Sequence, residues 1–157
     1  MINTRILVAV SLLGLVSACG GPNQSADVPE AQPAGASDAD IGNHIVHFSA
    51  QSTDQLPPEV ARAYSIVRSK NRAMLNVSVL RKDDGTPVVA NVTVKTVNLT
   101  GQLKSVTMRQ INEGDAIYYI GEVAIANRET LVFDISVTPE GSNIASDVRF
   151  KRQFFTD

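Results

Sequence analysis

The chain has 157 residues and a formal net charge of −2, with 14 Lys and Arg against 16 Asp and Glu, so it lacks the basic excess of a nucleic-acid-binding protein. Its single cysteine rules out an intrachain disulfide and leaves packing alone to hold the fold. The absence of tryptophan and the abundance of valine incline the composition toward sheet.

The first element is a targeting signal. Arg5 precedes an apolar run over residues 6–16 that is too short to span a bilayer, and the run ends in Val16-Ser17-Ala18-Cys19. Aliphatic, small, small, Cys is the lipobox of a bacterial lipoprotein, which predicts residues 1–18 as a signal peptide and Cys19 as the lipidated first residue of the mature chain. Several acyl chains, palmitate among them, anchor stably, and acylation consumes the thiol, so cysteine catalysis and redox exchange are not expected. Removing residues 1–18 takes away Arg5 and no acid, which leaves 13 bases against 16 acids, a net charge near −3. Residues 19–41 are rich in Gly, Pro, Ala, Ser, Gln and Asp, with little to bury. They are expected to be a disordered tether with a reach of roughly 25 Å. Gly20 follows the anchor where an aspartate would favour inner-membrane retention, so the expected location is the cell envelope, facing the periplasm, on the outer membrane rather than the inner.

From residue 42 the sequence changes to short alternating segments with a turn about every ten positions, the pattern of an antiparallel sandwich. Seven strands are predicted. The first covers 42–50, with His44, Val46 and Phe48 on one face. Residues 56–64 break the period of two: Pro57 and Pro58 suit a first helical turn, Glu59 suits its dipole, and Leu56, Val60, Ala63 and Tyr64 fall at helical spacing, which predicts one short helix capping an end of the sandwich. The second strand, 72–82, places Leu75, Val77 and Val79 inward, and Asp84-Gly85 turns it into the third, 88–94, as a hairpin. Asn98-Leu99-Thr100-Gly101 leads to a weaker fourth strand over 102–111, and Asn112-Glu113-Gly114-Asp115 to a fifth over 116–125. The sixth has the cleanest alternation, Leu131, Phe133, Ile135 and Val137; the last, 147–155, sets Val148, Phe150 and Phe154 on one face. The expected fold is an immunoglobulin-like antiparallel β-sandwich over 42–157.

The segments Leu56-Pro57-Pro58-Glu59-Val60-Ala61-Arg62-Ala63-Tyr64 and Arg68 through Val79, followed by Asn98-Leu99-Thr100-Gly101-Gln102 and Glu113 through Ile120, resemble the exported proteobacterial domain-of-unknown-function family DUF4426. The resemblance covers most of residues 42–155. It implies an envelope domain without an assigned activity, and no functional residue follows from it.

Residues that could carry chemistry are few. His44 and His47 are the only histidines, and three positions apart on a strand they point to opposite faces, so they cannot converge on one metal. Asp83-Asp84-Gly85 and Asn112-Glu113-Gly114-Asp115 bunch oxygen atoms but are too short for a calcium loop, and serve as hairpin turns. Neither a metal, a cofactor nor a catalytic residue is indicated. Charge is laid out unevenly, with six acids and no base from Gly20 to Glu59, then six bases and no acid from Val60 to Lys82. Within the basic stretch Arg68, Lys70 and Arg72 alternate and would form one cationic stripe if extended, either guarding a sheet edge or meeting an anionic ligand or an envelope protein. The function expected is that of a binding or accessory module in the envelope, held to the membrane by its anchor. The alternatives are a small hydrolase or metal-dependent enzyme on the same sandwich and a structural subunit of an envelope complex.

Overall fold

The computed structural model describes residues 37–157, so Cys19 and most of the expected tether lie outside the described residues. Nine strands are present among them: β1 (Asp38–Ile41), β2 (His44–Ser52), β3 (Arg72–Arg81), β4 (Ala90–Asn98), β5 (Leu103–Lys104), β6 (Arg109–Glu113), β7 (Ala116–Ala124), β8 (Thr130–Pro139) and β9 (Ser146–Gln153). Between β2 and β3 come a 3-10 turn, Thr53–Gln55, and one helix, α1 (Pro58–Ala63). One sheet runs β1-β2-β3-β7-β6 and the other β5-β4-β8-β9, with every pairing antiparallel. The alternation therefore produces the expected immunoglobulin-like all-β sandwich.

The core lies between the sheets and uses the faces that the alternation marks. Leu75, Val77 and Val79 of β3 and Leu131, Phe133, Ile135 and Val137 of β8 are all 0% exposed. Each such side chain contributes on the order of 1.5–3 kcal/mol by leaving water. Phe150 of β9 stacks on Phe133 at 4.8 Å between centroids and meets Phe48 of the opposite sheet at 4.7 Å, joining the layers through aromatic contact.

Four features differ from the sequence reading. The domain begins earlier than residue 42: β1 pairs with β2 from Asp38↔His47 to Ile41↔His44 around the Gly42-Asn43 turn, where Gly42 takes φ 71°, and Ala39 and Ile41 pack on the core. The hairpin expected after β3 starts but does not continue. Arg81 N bonds Thr86 O at 2.8 Å and Val88 N bonds Val79 O at 2.8 Å, after which the chain crosses to the other sheet and β4 pairs with β8. The next rung would need Ala90 N, which bonds the Tyr119 hydroxyl instead, while Val77 takes Tyr119 of β7 as its neighbour.

The expected fourth strand splits into β5 and β6, which belong to different sheets. Residues 105–108 cross between them and lie against β7 at Gly121, where a Cβ would stand 2.6 Å from both Val106 Cγ1 and Met108 Sδ. The helix, finally, does not cap an end of the sandwich. Leu56, Ala61 and Ile66 bury against Ile120 of β7, with Met74, Ile111, Tyr118 and Tyr64 packed around them, so the 53–71 excursion covers the outer face of the five-stranded sheet. Its buried helical residue is Ala61, whereas Ala63 is exposed. Thr53 pins the excursion, because its buried Oγ1 bonds Val67 O at 2.8 Å and accepts from Ser69 N at 2.9 Å.

Candidate binding groove

Four regions each supply two side chains to a groove of about 350 Å³ on that outer face: Val60 of α1 with Tyr64 at the helix's C-cap, Met74 and Asn76 from β3, Ile111 and Glu113 from β6, and Tyr118 and Ile120 from β7. The spacing explains the convergence, since i,i+4 on a helix and i,i+2 on a strand both keep neighbours on one face. Register brings the strands together, with Asn76 opposite Ile120 and Ile111 opposite Tyr118. The lining is largely apolar, with polar groups few and specific. Tyr64 donates its hydroxyl to Glu113 Oε2 at 2.5 Å, and Arg109 donates to the Tyr64 backbone oxygen, so the end of α1 is tied to the edge strand β6. The hydrogen bond to Glu113, then burial, then the nearby negative charge raise the Tyr64 phenol above its ordinary value. Asn76 Oδ1 is buried without a hydrogen-bond partner.

The residues expected to form a cationic stripe do not share a strand. Arg68 and Lys70 sit in the irregular link before β3, and Arg72 is its first residue. All three are exposed, but Arg68 Nη2 bonds Asp54 O at 2.6 Å and Arg72 Nη1 pairs with Glu122 at 3.3 Å. Thr53 fastens the link to the end of β2 by bonding Val67 O and Ser69 N.

His44 and His47 occupy opposite faces of β2, as the spacing requires. His44 borders an open depression with Arg81, Lys82, Asp83 and Glu140. Among the described residues no group of three or more His, Cys, Asp or Glu side chains could hold a metal ion. Asp84 serves its turn: Oδ1 accepts from Thr86 N at 2.9 Å, and this bond is the main cause that lowers its carboxyl.

A second polar cluster also escapes sequence reasoning. Glu129 Oε1 lies 2.8 Å from Lys104 Nζ and 3.1 Å from Asn98 Nδ2, while its Oε2 accepts from Ala126 N at 2.9 Å. The side chains of Lys104 and Glu129 are only 16% and 10% exposed. Burial pushes the Glu129 carboxyl up, but the bonds from Lys104, Asn98 and the Ala126 amide outweigh it and leave the carboxyl below the ordinary range. This clasp fastens two-residue β5 and the β7–β8 loop at one end of the sandwich. Lys104 and Glu129 are 25 positions apart, and no local pattern links them. The groove did leave a signal: Ile117-Tyr118-Tyr119-Ile120 does not alternate, which marks a strand covered on both faces. On the inner side Tyr119 accepts from Ala90 N at 2.7 Å across the sandwich.

The outer face of the four-stranded sheet is different. Lys95, Asp134 and Arg149 line up across β4, β8 and β9, with Thr93, Ser136 and Asp147 beside them in a broad, open trough. Arg149 donates from Nε to Asp134 Oδ1 and from Nη2 to Oδ2, the latter at 3.0 Å, and this pairing is the chief cause that lowers the Asp134 carboxyl.

The model of the family described as a domain of unknown function, DUF4426, matches residues 38–157. The chain belongs to the DUF4426 family. The start of the match coincides with β1. A solved DUF4426 family protein from Pseudomonas aeruginosa PAO1 is 35% identical and superposes with a TM-score of 0.67, covering 76% of this chain and 94% of that one. A copper-bound variant of FetP from uropathogenic Escherichia coli strain F11 is similar at 10% identity, with a TM-score of 0.55 over 74% of this chain and 93% of its own. FetP as isolated gives a TM-score of 0.53 at 10% identity over 75% and 92%. At that identity the likeness to FetP is one of fold alone. No curated protein matches the chain.

Proposed function

We propose that this DUF4426 protein is a binding or accessory module of the bacterial cell envelope, anchored through acylated Cys19, facing the periplasm from the outer membrane, with the groove beneath α1 as its recognition surface. The groove carries the reading. It is concave and mostly apolar, with a few polar atoms at fixed positions, which is how small-molecule sites are built. Its one hydrogen-bonded titratable pair, Tyr64 and Glu113, spends its proton on tying α1 to β6, which is a structural use. The copper of FetP is not carried over, because His44 and His47 face apart and the groove offers one thioether, Met74, among phenols, an amide and a carboxylate.

Two measurements test the reading. Fatty-acid labelling should mark the wild type and vanish in Cys19→Ala; native chain found soluble in a periplasmic extract would sink the anchor. A photo-crosslinking residue at Tyr118 should capture a ligand in intact cells, whereas one at Ser136, on the other outer face, should not. Equal capture at both positions, or none at Tyr118, removes the groove from the proposal.

A further inference from the structure

We infer that the groove takes a small amphiphile whose polar end is a protonated primary amine; this rests on the groove being a recognition surface. Its floor of Met74, Ile111 and Ile120 with the Val60 wall suits methylenes, and the one charged group that lines it is the Glu113 carboxylate. Glu113 gives Oε2 to the Tyr64 hydroxyl, but its Oε1 bonds no described residue. Asn76 Oδ1 is buried with no partner and lies out of a ligand's reach as the side chain stands, so the Glu113 carboxylate marks the head-group position. An ammonium brings three donors and the charge that complements a carboxylate.

Neither lysine, arginine nor histidine lines the groove. Arg109, on the same face of β6, is engaged with the Tyr64 carbonyl. A carboxylate ligand would meet Glu113 as a like charge. The volume, about 350 Å³, lies at the small end of ligand sites, which favours a single small molecule over an extended peptide.

Calorimetric titration of the purified full-length chain with octylamine, octanol and octanoate separates the claims. Octylammonium is expected to bind at least about tenfold tighter than either of the others at neutral pH, with the margin falling as salt is added. Glu113→Gln should bring the amine down to the affinity of the alcohol and leave the alcohol unchanged. Tyr64→Phe, which returns Oε2 to the groove, should keep or increase the preference for the amine, so loss of preference in that variant would overturn the assignment. Octanol or octanoate binding as well as the amine would overturn the head-group assignment and leave the groove standing as an apolar site. No binding by any of the three would overturn both. A short lysyl peptide binding as tightly as octylamine would transfer the site to a protein partner.

Discussion

The two outer faces of the sandwich present the same kind of strand, yet only one is covered by a helix and forms an apolar groove. On the four-stranded sheet most outward positions are polar, Thr93, Lys95, Asp134, Ser136, Asp147 and Arg149 among them, with Val97 and Val132 paired at one end, and the face stays bare. On the five-stranded sheet Met74, Ile111, Tyr118 and Ile120 point outward and require a cover, which the 53–71 excursion supplies. A short helix cannot cover such a surface fully, and the groove is the part it leaves open. The lesson is that a sheet acquires a covered groove where its outward alternation fails.

That contrast can be broken by ranking substitutions. The reference is the shared core: Phe133→Ala should cost about 3–5 kcal/mol in denaturant unfolding, since the ring is 0% exposed and stacked on Phe150. Next comes the covered outer face, where Ile120→Ala, 6% exposed, should cost about 2–3 kcal/mol; an effect under about 0.5 would mean that α1 is not packed as described.

The clasp falls in between in character, polar yet covered. Glu129→Gln should cost about 1–2 kcal/mol at neutral pH by weakening the bonds to Lys104 and Ala126. The folded carboxyl lies below its ordinary value of 4.5, so its contribution is complete above that pH and is lost as pH falls through the lowered value. Melting curves of wild type and Glu129→Gln should therefore converge in acid; a difference that persists there would assign the effect to packing.

The smallest effect belongs to the bare face. Asp134→Ala should change stability by less than about 1 kcal/mol, because the Arg149 pair is exposed and screened. A larger loss would put Asp134 on the buried side of β8 and shift the register of that strand by one residue.

Alternation made the core legible: each inward residue named on β3 and β8 is buried, since a period of two decides which face sees water. Partnering was less legible, because the Asp84-Gly85 turn specifies a reversal but not the sheet that the returning strand joins. The stretch 102–111 reads as one weak strand, and only the room left by Gly121 reveals that it crosses between layers. Of the groove, Tyr64, Glu113 and Tyr118 were visible as parts of a helix, a turn and a strand; their convergence depends on β6–β7 register and on where the excursion lands. Arg68, Lys70 and Arg72 read as one stripe only if the link continued β3; in the structure the strand begins at Arg72, and Arg68 and Arg72 each bond a neighbour, Asp54 O and Glu122.

The split hairpin also governs when the domain can form. β3 finds its second neighbour only in β7 and β4 finds its own in β8, so strands from the first half wait for partners more than 30 residues later in the chain. Neither sheet closes from an N-terminal fragment, and the long loops that must be gathered first make folding slow and late in the order of synthesis. A chain cut after β4 would leave the edges of β3 and β4 unpaired and their apolar faces wet, which makes truncated copies prone to aggregate rather than to persist as half-domains.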